Sequence, residues 1–132
     1  MKPKVKKRLI ILGLFILLIA ILITIACISS TNKANKVQIN NIDLSSLADG
    51  EYQGSYTISP VTVKVSVVIH NHQITEIEIL KHDYLLGKKA EILTEEVISK
   101  QTLQNIEAIS GATVSSKALL KAIEVALGGN HL

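Results

Sequence analysis

The sequence predicts an α+β protein, an N-terminal transmembrane helix followed by a small antiparallel sheet covered by two helices. Three stretches predict it. Leu9 to Ile28 runs twenty residues without a charge, and twenty residues at helical rise span about 30 Å, the thickness of a bilayer core. Val61, Val63, Val65, Val67 and Ile69 alternate with Thr62, Lys64, Ser66 and His70, the period of a half-buried strand. Val114 to Leu127 puts Leu119, Ala122, Ile123 and Ala126 on one helical face and Lys117, Lys121 and Glu124 on the opposite one. Strands that come before helices, rather than alternating with them, argue for helices laid on one face of an antiparallel sheet.

Taken in order, residues 1–8 form a basic head with Lys2, Lys4, Lys6, Lys7 and Arg8. Residues 9–28 are the anchor. A buried helix of a soluble protein fits poorly, because nothing downstream is large enough to wrap a helix apolar on every side. The positive-inside rule keeps the head in the cytoplasm and sends the rest across the cell membrane. A cleaved signal peptide shares this grammar, and Thr24-Ile25-Ala26-Cys27 resembles a lipobox in which Thr24 replaces the usual Leu. The apolar run exceeds a usual signal core, so an uncleaved anchor is preferred and a lipoprotein is the alternative. Both leave a domain outside the cytoplasm, tethered to membrane lipid.

The charges divide along the same line. The chain carries a net +3, but the head holds five of fourteen basic residues and none of eleven acidic ones. Residues 9–132 therefore hold nine basic and eleven acidic groups, a balance of −2. The basic pI of about 9.0 belongs to the anchor, and it gives no argument for nucleic acid. With Cys27 the sole cysteine, the domain has neither an internal disulfide nor a cysteine metal site.

Residues 29–48 are rich in Ser, Asn and Lys without a sustained period and read as a polar linker. Residues 49–130 form the working domain. Asp49-Gly50 marks a turn, and Tyr52, Gly54, Tyr56 and Ile58 line one side of a first strand that Pro60 ends. After the Val-rich strand, His70 to Gln73 turns the chain and Ile74 to Leu80 returns, with Glu76 and Glu78 on its wet side. Leu86, Ala90, Leu93 and Val97 then recur at helical spacing. Ile106 and Ile109 dip into the core, the last helix follows, and Gly128-Gly129 stops it.

The entrance to the last helix carries the chemistry. Ser110-Gly111-Ala112-Thr113 precedes it, with Ser115 and Ser116 close behind. By local chemistry alone Thr113 or Ser115 is an N-cap, the commoner use of such residues. The same crowd of hydroxyls and unpaired N–H groups also suits a phosphate. His70 and His72 have metal-like spacing but no nearby carboxylate or cysteine, and read as solvated turn residues. Ser110 or Ser115 as a hydrolytic nucleophile lacks the elbow motif and an evident His–acid partnership. Lys88-Lys89 reads as a solvated helix start.

Asp49-Gly50-Glu51-Tyr52-Gln53-Gly54, the Val-rich hairpin, His82, Gly87-Lys88-Lys89-Ala90-Glu91 and Glu107-Ala108-Ile109-Ser110-Gly111-Ala112-Thr113-Val114-Ser115-Ser116-Lys117 stand in series. That series closely resembles the small FMN-binding domain family over roughly residues 48–128. The family includes the FMN-carrying subunits of sodium- and proton-pumping redox complexes and flavinylated extracytosolic electron-transfer domains. Its motif reads Asp-x-x-Ser-Gly-Ala-Thr, and a flavin transferase joins the FMN phosphate to the threonine hydroxyl. The resemblance implies that Thr113 is the attachment residue and that Ser110, Gly111 and Ala112 shape the turn holding the phosphate.

Two positions depart from that pattern. Glu107 stands where the family has Asp, keeping the charge with one more methylene. Larger members carry Glu-Thr-Pro-Gly after the histidine, where Asp83-Tyr84-Leu85-Leu86-Gly87 keeps only the glycine. Tyr84 is then the expected neighbour of the flavin ring. His82 is expected either to contact the flavin or to support the strand end. The resemblance thus implies a bacterial membrane-tethered flavoprotein, passing electrons from a membrane donor to an extracytoplasmic acceptor. With no acid–base pair in evidence, a carrier fits better than a self-contained enzyme. The alternatives are a non-covalent FMN module, the FMN subunit of a redox pump, and a cofactor-free exported interaction domain.

Overall fold

The structure, a computed structural model, describes residues 2–84 and 87–128. Helix α1 spans Pro3–Lys36, with proline in its first turn, where the missing N–H costs nothing. Its apolar window has a mean hydropathy of 3.3 and none of it is buried against the rest of the protein. Large side chains from Leu9 to Ile28 are exposed all round the helix. Lipid accepts such a surface, since every backbone group within the helix is already paired. α1 is long and apolar enough to cross a membrane.

The stretch 29–48, expected as a polar linker, follows a defined path. With no Pro or Gly after Ile28 to stop it, α1 continues to Lys36, and Ala34 is fully buried at its contact with the last helix. Beyond it, Val37, Ile39, Ile42, Leu44 and Leu47 pack against the core as a strap. Asp43 closes a single 3-10 turn, Leu44–Ser46, by accepting the Ser45 N–H at 3.0 Å. Apart from that turn the strap is neither helix nor strand, so its apolar residues show no period.

The sheet has three antiparallel strands in sequence order, β1 Gly50–Ile58, β2 Val61–His70 and β3 Gln73–Asp83. Val61, Val63, Val65, Val67 and Ile69 of the central strand are all buried. Asn71 and His72 link β2 to β3, both at positive φ (50° and 60°), as a two-residue hairpin that matches strand twist requires. His70 and His72 have protein partners rather than only water. His70 Nδ1 pairs with Asp49 Oδ2 at 2.8 Å, and His72 Nδ1 lies 3.0 Å from the Leu47 carbonyl oxygen.

β3 carries two bulges. The pairing skips Thr75 and Leu80, between Val68/Ile69 and Lys64/Val65 of β2. Each extra residue reverses the inward–outward alternation beyond it. Ile74, Ile77 and Ile79 consequently share the core side while Glu76 and Glu78 stay exposed. The second bulge turns His82 inward, opposite the buried Val63.

The expected helix beginning near Leu86 is a 3-10 segment, Lys88–Ile92, that runs into α2, Leu93–Lys100; Leu86 itself lies outside the described residues. Ala90, Leu93 and Val97 form its buried side. Gln101 ends α2 in the left-handed conformation. α3, Thr113–Gly128, lies across β1 and β2 and buries Leu119, Leu120, Ala122, Ile123 and Ala126; α2 flanks β3. Ile106 and Ile109 are partly buried against this core.

Candidate functional site

The loop before α3 is fixed by its own backbone. The Ala112 N–H donates to the Ile109 carbonyl at 2.9 Å, closing a turn whose third residue, Gly111, has a φ of +76°. That is the position at which a type II turn calls for glycine. The buried Ser116 hydroxyl locks the turn to the helix, accepting the Ile109 N–H at 3.0 Å and donating to the Ala112 carbonyl at 2.7 Å. Ser116 therefore braces the loop.

The first helical hydrogen bond runs from the Ser116 N–H to the Ala112 carbonyl at 2.8 Å. Ala112 is thus the N-cap, a residue without a side-chain oxygen, and Thr113 and Ser115 occupy the first and third helical positions rather than the cap. The N–H groups of Thr113, Val114 and Ser115 have no acceptor among the described residues. They point out of the positive end of the helix, where an anion is stabilised.

A cationic side chain reaches the same spot. A methyl group placed on Gly111 would stand 3.0 Å from Lys89 Nζ, so the ammonium overlies the turn instead of only solvating the helix start. Lys89 has no carboxylate partner among the described residues.

Behind the turn, Ser115 Oγ lies 2.9 Å from His82 Nε2, and His82 Nδ1 lies 2.9 Å from Glu91 Oε1. The His82 side chain is only 3% exposed. The His–acid partnership that the sequence did not reveal is therefore present. Ser115 is buried, with its hydroxyl against Gly87, so the chain of contacts braces a hydroxyl beneath the loop. Glu91 and Lys89 come from a separate element, and no local spacing announces either.

The turn and the start of α3 border a cleft of about 450 Å³, with Lys89, His82 and Glu91 outside its lining. Gly111, Ala112, Thr113, Val114 and Ser115 form its floor, with Gly87, Pro60 and Val61 beside them and residues of α1 opposite. Its lining is mainly apolar. Glu107 and Ser110 lie exposed on the approach to α3, outside the cleft lining. Tyr84 also lies outside it, its ring tilted at 55° and 4.9 Å from that of His82. Free helical N–H groups, a threonine hydroxyl and a lysine at one end, with an apolar slot adjoining, fit a phosphate ester attached to a flat, largely apolar body.

No curated protein matches the chain. The model of the FMN-binding domain family matches residues 58–128, more than half of the sequence and a span that includes β2, β3, α2, α3 and the whole loop before Thr113. The protein belongs to the FMN-binding domain family.

Proposed function

We propose that this protein is a membrane-tethered electron carrier whose FMN is esterified through its phosphate to Thr113. The observation that carries the reading is the uncapped start of α3. Thr113 opens into the cleft beside three N–H groups without acceptors among the described residues, and Lys89 supplies a positive charge at the adjoining Gly111 turn. A phosphodiester keeps one negative charge, which the helix end and the ammonium both favour. When bound, FMN supplies one- and two-electron redox chemistry; the chain's part is to hold it, orient it and exclude water. The partners in this reading are a flavin transferase, a membrane redox donor and an extracytoplasmic acceptor. The basic head then lies in the cytoplasm and the domain outside it. A covalent link suits that location, where a dissociating flavin would be lost.

The test is protein made in cells with and without a flavin transferase, denatured and separated on a gel. Wild type from transferase-containing cells should fluoresce in the gel and gain the mass of one FMN less water. Thr113→Ala should be dark and unshifted. Native protein that is yellow but loses its colour on denaturation would mean that the flavin is bound without the ester. Colourless protein from both hosts would leave an anchored domain without a cofactor and sink the carrier reading.

A further inference from the structure

The outer end of α1 forms one side of the cleft into which Thr113 opens. Ile23, Ala26 and Cys27 line it, spaced so that they share one helical face. The hydroxyls further along that face are already engaged. Ser30 Oγ donates to the Ser59 carbonyl at 2.9 Å, and Thr31 Oγ1 donates to the Cys27 carbonyl at 3.0 Å. What α1 turns toward the cleft is therefore hydrocarbon and a thiol. The wall is held at two points, by the Ser30 bond to the turn between β1 and β2, and by Ala34, fully buried where α1 meets α3.

We infer that the anchor helix is itself part of the flavin site, and that the isoalloxazine ring lies between Ala26–Cys27 of α1 and the Gly111–Thr113 turn. The inference rests on the FMN reading above. Thr113 lines the cleft, so a phosphate held there starts the cofactor within it. The ring that follows is flat and largely apolar, and the adjoining walls are apolar too. A volume of about 450 Å³ falls within the range of about 300–1,000 Å³ usual for small-molecule sites. Ile23 to Cys27 also belong to the uncharged run that ends at Ile28. The ring thus sits at the membrane boundary, where water is scarce, and α1 does more than tether.

Cys27, the only cysteine in the chain, reports on this wall directly. Full-length protein in detergent, made with and without the transferase, is treated with N-ethylmaleimide and followed by intact mass, which counts flavin and label together. Cys27 of the flavin-carrying form should react on the order of tenfold more slowly than that of the flavin-free form, since thiol reactivity follows access. In the double variant Cys27→Ser/Ile25→Cys the thiol lies outside the cleft lining, and its rate should be the same in both forms. Equal Cys27 rates in protein whose mass includes flavin would overturn the inference and leave the proposed function standing. Protein that takes up no flavin from either host overturns both.

Discussion

Gly87 has no side chain because Ser115 occupies the place where one would be: a methyl group there would overlap Ser115 Oγ and Cβ. This close approach keeps Ser115 within reach of His82. The Glu91 carboxylate oxygen is the acceptor at 2.9 Å, so His82 Nδ1 carries the proton that faces it. Nε2 then accepts the Ser115 hydroxyl at 2.9 Å. Gly87→Ala forces these groups apart and is expected to cost about 1–3 kcal/mol, the usual range for an added methyl in a packed site. The measurement is the unfolding midpoint of the full-length variant in detergent, and an unchanged midpoint would mean that Ser115 can turn aside freely. At this scale the sequence shows what is contiguous. Gly111, Ala112, Thr113 and Ser115 stand within five residues and line one cleft. Lys89 and Glu91 stand in the sequence within the Gly87–Glu91 string, but their contacts are not legible there, because they depend on side chains reaching across from another element.

At the scale of elements, the strongest periods are the ones that could be read, and β2 and α3 follow theirs closely. β3 is harder. Its inward residues Ile74, Ile77, Ile79 and His82 are spaced three, two and three apart, which matches neither strand nor helix until the bulges at Thr75 and Leu80 are known. Its outer edge is also served in an unexpected way. The Ile74 N–H donates to Gln101 Oε1 at 2.7 Å, and Gln101 Nε2 donates to the Ile74 carbonyl at 2.8 Å and the Ile98 carbonyl at 2.6 Å. One side-chain amide thereby stands in for a neighbouring strand and closes the end of α2. Gln101→Ala leaves these partly buried groups without partners, at about 1–3 kcal/mol for an unsatisfied backbone group. Gln101→Gly separates two effects, since it relaxes the left-handed backbone but still removes the clamp. Faster amide exchange at Ile74 in both variants is the expected outcome, and unchanged exchange in the glycine variant would mean that the amide contributes nothing to the edge.

Across the whole molecule, the polar composition of residues 29–48 conceals a segment that joins anchor to domain along a defined path. Part of that path is electrostatic. Glu124 of α3 accepts the Asn40 N–H and the Asn40 side-chain amide, both at 3.0 Å, and pairs with Lys121 Nζ at 2.8 Å. Lys121 Nζ also donates to the Gln38 carbonyl at 3.1 Å. Burial pushes the Glu124 pKa up, but the hydrogen bonds from Lys121 and Asn40 outweigh it and hold the carboxyl below its usual range. A carboxyl depressed in the folded protein contributes stability that is fully present above its unfolded pKa, about 4.3 for glutamate, and is lost as pH falls through the folded value. The strap should therefore be fastened at neutral pH and loosen only in acid. Asp43, whose pKa the Ser45 hydrogen bonds also lower, titrates on the same segment, so a control must separate the two. Glu124→Gln keeps an acceptor oxygen but carries no charge; it should loosen the strap at neutral pH and remove most of the further acid response. Hydrogen exchange at the Asn40 amide measures both effects: protection in wild type should fall with acidification below the glutamate range, while the variant starts low and changes little. Wild-type protection that stays flat through that range would mean that burial of Val37, Ile39 and Ile42, rather than Glu124, fixes the strap, and that the junction of anchor and domain is held by packing alone.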